Sequence, residues 1–530
     1  MEKRSYNIFF DLHTVSGIVI SVLVYVIFFA GSFAFFRNEI INWERGDVVN
    51  VRTSIDLDLD QALDTLHKEY NLYGRDITIT RPNDERRVSV YLTPSKDTLL
   101  NKQGREGDFL YLDSETFKTY SYENSYTLGE FLYRLHFFAQ VPYPTGYFLS
   151  GFTALFLFFA VLTGVLVHWK KIVTNFYLFR PREKLKTVWT DAHTVLGTIG
   201  LPFQAIYAVT GAFFMINILL LIPNALVLYN GDDAKVYDDL GYNHQQFEFK
   251  HKPLAAPVHI NAFMDRAHHE WNDYHVAEII VHNYGDEGMH VLAEGHLANN
   301  VQLTSQGELI LNVASNQIVH RRDPHEGASY VEKVKHLLYS LHYGDYAGTG
   351  LRYVSFWLGL LSCFVVITGI LVWLEARNKK SIPEKQKKFN RMVGHIFLSI
   401  CLAMYPVTAL SFIVTKLVPS EFDAERQTLL YSVYFIVWLV LAVVCSGWRN
   451  NARTNSVTLW SGAVLGLFVP VVNGVVTGNW FWLCVFDGRI DFFVVDFLWI
   501  TLSLFSFLAL WQIKKKRTKA VVEMVEVSVG

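Results

Sequence analysis

The stretch "DLHTVSGIVI" occupies residues 11–20, and "DAHTVLGTIG" occupies residues 191–200. Asp, His, Thr, Val and Gly recur at the same relative positions, and each copy opens a long apolar run. Ionisable side chains at the edge of a hydrophobic segment are costly, so a matched pair points to shared architecture and shared chemistry.

The match extends outward. "LYRLHFF" at 132–138 corresponds to "LYSLHYG" at 338–344, and "VLTGVLVHWKK" at 161–171 to "VITGILVWLEA" at 366–376, with His168 facing Trp373. Between these motifs, "LDLDQALDTLHKEY" at 57–70 has helical spacing and precedes the alternating stretches "DITIT", "RRVSVYL" and "DFLYLDSETFKTY". In the second copy "HINAFMDRAHHEWNDY" from residue 259 precedes "AEIIVHNY", "GMHVLAEG" and "GELILNVASNQIVHR". Each copy therefore reads as span, small α+β domain with one helix on an antiparallel sheet, then span. With an even number of spans per copy, the two are related by an axis along the membrane normal, which puts equivalent residues at equal depth.

The chain has 530 residues and is 51% hydrophobic and 15% aromatic. That composition fits a membrane protein with sizeable water-exposed parts. About 20 apolar residues cross the hydrocarbon layer, and eight segments qualify, at 14–36, 147–168, 194–222, 353–374, 392–415, 428–446, 457–478 and 492–512. The fold class expected is a mainly α-helical polytopic membrane protein with two small outer α+β domains. Helix 1 falls within 1–36, the first outer domain at 37–130, and helices 2 and 3 with a basic connection at 131–222. A His-rich second outer domain follows at 223–336, helix 4 at 337–380, and four more helices with a basic tail at 381–530.

Lys and Arg flank the spans at Lys3 and Arg4, Lys170 to Lys186, Arg377 to Arg391, and "KKKR" at 514–517. All fall on one side if both termini are cytoplasmic. The first span resembles a signal peptide but has no clear cleavage site, so it reads as a retained anchor. Cys363, Cys401, Cys445 and Cys484 form no close pair in sequence, which argues against a disulfide framework or an iron–sulfur cluster.

His13 and His193 open spans 1 and 3, and His136 and His342 lead into spans 2 and 4. Equivalent imidazoles facing each other across an axis suit the two axial positions of a haem iron. Gly17 and Gly197 lie four residues after His13 and His193, on the same helix face, where a missing side chain leaves room for a flat macrocycle. Asp11 and Asp191 are placed to cap the helices. Two haems, an inner one on His13 and His193 and an outer one on His136 and His342, would divide the membrane into shorter electron-transfer steps. His168 either replaces one of the inner pair, bonds a propionate, or sits at the interface, and His395 reads as structural or peripheral. Thr163–Gly164 and Thr368–Gly369 read as close helix packing. Twelve of the 19 histidines lie between His244 and His336, including His268, His269 and His275, without metal-ligand spacing. A surface without a dedicated metal site is the simpler reading.

Taken in order, "DLHTVSG", "LYRLHFF", "LTGVLVHW", "DAHTVLG", "LHYGDYAGTG" and "ITGILVW" resemble the PepSY-associated transmembrane family of bacterial inner-membrane proteins, over about residues 5–380. The resemblance implies an iron-regulated protein holding haem b on membrane histidines, mapped here onto His13, His136, His193 and His342, with His168 at a position that is often His or Trp. It also implies a haem-dependent oxidoreductase that reduces a ferric siderophore or other ferric chelate in the periplasm, with a quinol or cytoplasmic reductant as donor. Membrane lipid is the surrounding partner, and no nucleic acid is expected. The four extra spans depart from shorter members. No G-x-G-x-x-G pattern appears, so a built-in nicotinamide or flavin domain is not expected. Two other classes remain open: a transporter with a histidine proton relay, and a non-enzymatic anchor whose outer domains bind or inhibit a protease.

Overall fold

The computed structural model describes residues 2–529 apart from 50–53, 56, 82–84, 99–105, 241–244, 256–258, 271–273, 298–304, 327, 345 and 419–424. The chain divides into two compact units, one made of Met1–Gly46, Thr127–Asn217 and Ala347–Gly530, the other of Asp47–Tyr126 and Ile218–Tyr346. The helices in chain order are α1 Lys3–Ala34, α2 Arg37–Arg45, α3 Leu59–Glu69, α4 Leu128–Leu135, α5 Thr145–His168, α6 Ile172–Tyr177, α7 Leu185–Ile199, α8 Leu201–Ile216 and α9 Ile218–Leu228. They continue with α10 Asp233–Asp239, α11 Asn261–Glu270, α12 Tyr330–Tyr343, α13 Gly348–Ala376, α14 Glu384–Leu417, α15 Arg426–Gly447, α16 Asn451–Thr477, α17 Phe481–Phe486 and α18 Ile490–Val529.

Among the described residues seven helices of the first unit are long and apolar enough to cross a membrane: α1, α5, α13, α14, α15, α16 and the Ile490–Lys516 part of α18. The chain is a multi-pass membrane protein. The third expected span is not one straight helix, because α7 and α8 meet at a 67° bend and qualify only as a pair, which would make eight. The cause is local. Pro202 sits in the first turn of α8 and has no N–H to continue the ladder of α7. A Cβ on Gly200 at the bend would lie 2.7 Å from the Gln204 side chain and 3.0 Å from Leu361. The membrane unit also takes α2, which the sequence places with outer domain 1, and α4, which straddles the boundary expected after residue 130. Ile40, Ile41 and Trp43 of α2 are all buried there.

In the second unit the strands are β1 Ile77–Thr80, β2 Arg87–Leu92, β3 Asp108–Asp113, β4 Thr119–Ser121, β5 Tyr274–His282, β6 His290–Leu297, β7 Gly307–Asn312 and β8 Gln317–Arg322. They form one antiparallel sheet in the order β4-β3-β2-β1-β5-β6-β7-β8. Each half supplies one helix and four strands to this layer, the third alternating stretch of each half folding as two strands, and the halves share one sheet. Ile77 pairs with Val281 and Thr80 with Glu278, so β1 and β5 cover each other's edges. One core follows, with Leu59, Leu63 and Leu66 of α3 and Phe263, Met264 and Ala267 of α11 packed on the same strands.

A capping box starts α12: Ser329 accepts from the Glu332 N–H, and the Glu332 carboxylate accepts from the Ser329 N–H at 2.6 Å. Arg322 of β8 donates two 2.7 Å bonds to the same carboxylate. The Arg322 bond, aided by the cap and opposed by burial, holds Glu332 down to about 2 from an ordinary 4.5. A depressed carboxyl stabilises the fold above its unfolded value and loses that contribution as pH falls. Wild-type protein should therefore lose protection of α12 in hydrogen exchange between about pH 4.5 and 2. Glu332→Gln should lack that pH-dependent step, and equal steps in both proteins would refute the assignment.

Candidate functional site: a two-histidine cavity among the membrane helices

A cavity of about 530 Å³ in the membrane unit is lined by α1, α5, α7, α8 and α13, and His13, His168 and His193 all face it. Its size falls in the range of pockets that take cofactor-sized ligands. The rings of His13 and His193 stand 6.0 Å apart, centroid to centroid, with their planes at 63°.

The two imidazoles are seated in the same way. His13 Nδ1 lies 2.8 Å from the Ala160 carbonyl, and His193 Nδ1 lies 3.0 Å from the Val365 carbonyl. A carbonyl can only accept, so each Nδ1 carries the proton and each Nε2 keeps its lone pair, the arrangement that presents a histidine to a metal. Three residues after each carbonyl comes a threonine whose hydroxyl bonds back to its own helix: Thr163 to Phe159 and Ala160, Thr368 to Phe364 and Val365. A glycine follows. A Cβ on Gly164 would stand 3.1 Å from His13 Cε1, and one on Gly369 would stand 3.2 Å from His193 Cε1. The "TG" pairs, expected only as helix packing, form the seats of the imidazoles. Their signal in the sequence is their recurrence five residues before His168 and Trp373.

Gly17 and Gly197 line the cavity. Nothing lies within 4 Å of a Cβ built on Gly17, and only Val365 at 3.9 Å approaches one on Gly197. Asp11 and Asp191 do not cap helices. Both lie inside them, because α1 starts at Lys3 and α7 at Leu185. Asp191 instead accepts from the Arg180 backbone N–H, Nε and Nη2 at 3.0, 3.0 and 2.9 Å, which ties the connection after α6 to α7.

The other histidines lie elsewhere. His136 caps the C-terminus of α4, bonds the Tyr133 carbonyl through Nδ1 and packs edge-on against Phe137 at 5.0 Å. His395 on α14 contacts Asn451 through Nδ1. Neither lines the cavity. His342 is in the last turn of α12, in the second unit. In the His-rich segment His275 faces His296 across β5 and β6, while His244 lies outside the described residues. Among the described residues no group of three or more His, Cys, Asp or Glu is arranged to hold a metal ion. All four cysteines are buried and free.

The sequence signature described as the PepSY-associated TM region matches residues 10–376. The chain belongs to this family. Every residue that seats the imidazole pair lies inside the matched range of this PepSY-associated protein, while α14–α18 follow it. No curated protein matches the sequence.

Two imidazoles with free Nε2 atoms suit a metal that takes them on one axis. Two metal–nitrogen bonds of about 2 Å, with about 1.1 Å from each nitrogen to its ring centre, put the centroids about 6 Å apart. The observed separation is 6.0 Å. Two protein ligands leave the other positions of an ion to further donors, and Gly17 and Gly197 leave open wall beside the pair for a flat group that carries them. The residues present fit a haem.

Proposed function

We propose that this PepSY-associated protein is a transmembrane electron-transfer protein, in which His13 and His193 would hold a haem b in the membrane cavity. The observation that carries the reading is the matched pair of imidazoles, each fixed by a carbonyl through Nδ1 on the wall of a cofactor-sized cavity. When bound, haem supplies one-electron transfer through its iron. The chain orients both imidazoles, raises their basicity through the carbonyl bonds, and excludes water with the apolar faces of α1, α5 and α13. A ferric siderophore or other ferric chelate outside the membrane is the proposed acceptor, and a quinol or cytoplasmic reductant the donor. Fe(II) is held more weakly than Fe(III) by hard oxygen donors, so one-electron reduction of the chelated Fe(III) would release iron for uptake. A second haem per chain is proposed on the sequence repeat alone.

The test is the visible spectrum of protein purified from haem-replete bacterial cells, before and after dithionite, with haem quantified as the pyridine haemochrome. The expected result is a b-type spectrum with two low-spin haems per chain. One equivalent would remove the outer site from the proposal. A colourless protein would remove both, and pH-gradient-dependent flux through that protein would favour the histidine proton relay instead.

A further inference from the structure

The cavity's walls are nearly all uncharged. Apart from histidine, its charged lining residues are Asp11, Lys186 and Arg377. The two cations stand where the matched half has none: aligning His193 with His13 puts Lys186 opposite Tyr6, and aligning Gly369 with Gly164 puts Arg377 opposite Ile172. Both lie at the same end of the cavity. Lys186 precedes His193 by about two helical turns along α7, roughly 10 Å, and Arg377 follows Gly369 by a similar rise along α13. Since Gly369 packs on His193, both residues lie on the same side of the imidazoles, at one edge of the cavity they line.

Neither cation is spent on a carboxylate among the described residues. The Arg377 guanidinium lies over the Trp373 ring at 4.7 Å, and Trp373 itself lines the cavity. That stacking fixes the plane of the guanidinium and leaves its N–H edge for a planar anion. Arg180, in contrast, is held by Asp191.

We propose that Lys186 and Arg377 form an anion-binding edge that takes the carboxylates of the bound porphyrin, so that the cavity selects a porphyrin diacid and accepts it with its acidic edge toward this end. The inference rests on the haem reading of the same cavity. It assigns the asymmetry between the two halves to orientation of the ligand: two equivalent imidazoles cannot tell one porphyrin edge from another, and a cationic edge on one half can. Lys186 and Arg377 are specificity-determining residues here and touch no iron.

The experiment titrates full-length protein, made in haem-depleted cells, with ferric mesoporphyrin and with its dimethyl ester, following the Soret band. Wild-type protein should bind the diacid about tenfold to a hundredfold more tightly than the ester, the range expected for one or two charge-assisted contacts, and that preference should shrink as salt is raised. Lys186→Gln with Arg377→Gln should abolish the preference by weakening the diacid alone, while Lys186→Arg with Arg377→Lys should restore it. His13→Ala should weaken both ligands equally. A double Gln variant that keeps the wild-type preference overturns the inference and leaves the haem reading standing. Failure of wild-type protein to bind either porphyrin overturns both.

Discussion

Protein carrying His13→Ala or His193→Ala should be purified with one haem fewer per chain than wild type, measured as pyridine haemochrome. Each imidazole would supply one of the two ligands that hold the group in the proposed cavity. The geometry makes a graded series. Gly164→Val and Gly369→Val keep both ligands but push against rings already 3.1 and 3.2 Å from the site of a Cβ. They should loosen the Nδ1–carbonyl bonds and lower haem retention about tenfold to a hundredfold, the usual cost of disturbing the groups that orient a metal ligand. Changes at His395 should leave the cavity's spectrum unaltered, since that side chain contacts Asn451 and does not line the cavity. Full haem content with wild-type spectra in both His13→Ala and His193→Ala would end the assignment of this pair.

The pair was legible because the chain carries it twice. One histidine at a helix start is ordinary, but matched Asp-x-His-Thr-Val-x-Gly stretches tie His13 to His193 in the sequence itself. What holds the rings was not legible. The acceptors are the backbone carbonyls of Ala160 and Val365, which carry no sequence signal of their own, and only the recurring Thr-Gly three and four residues later marks the place. The error over Asp11 and Asp191 has a plain cause. Hydropathy reports where the continuous apolar run of a helix begins, and these helices run eight and six residues further toward their N-termini through mixed polar and apolar sequence.

The sheet shows a second limit. Strand alternation within 77–121 and 274–322 identified each half, since side-chain direction has period two. Pairing between Ile77 and Val281 is a contact across some two hundred residues, and nothing local in either strand encodes it. The bend between α7 and α8 lies between these cases: Pro202 is visible, but the apolar run continues through it, so composition alone favours one straight span.

The second large effect expected concerns stability and the attachment of the carboxy-terminal helices. Glu44, in the last turn of α2, is buried and accepts from Arg426 Nε and Nη2 at 3.0 and 2.6 Å, while its other oxygen accepts from the Leu128 N–H at 2.6 Å. One carboxylate thus joins α2 to the first turn of α4 and the first turn of α15. Around it, Asn42 donates to Asp491 at 2.8 Å, and Trp43 Nε1 donates to Asp496, which also accepts from Asn473 at 3.0 Å. Lys416 of α14 donates to the Trp43 carbonyl. The short helix α2, inside the family-matched range, therefore holds α14, α15, α16 and α18, all outside it. Removing one member of a buried ion pair leaves the other charge without compensation, which typically costs about 3–5 kcal/mol, whereas replacing both by apolar groups costs far less. Arg426→Met should accordingly destabilise the protein by roughly that amount in denaturant unfolding in detergent, and Glu44→Leu with Arg426→Met should recover more than half of the loss. Because Leu128 loses its acceptor in the double variant, recovery should be incomplete. If the double variant is as unstable as the sum of two independent losses, the pair is not what couples α2 to α15, and the anchorage must lie in the Trp43, Asn473 and Asp496 bonds.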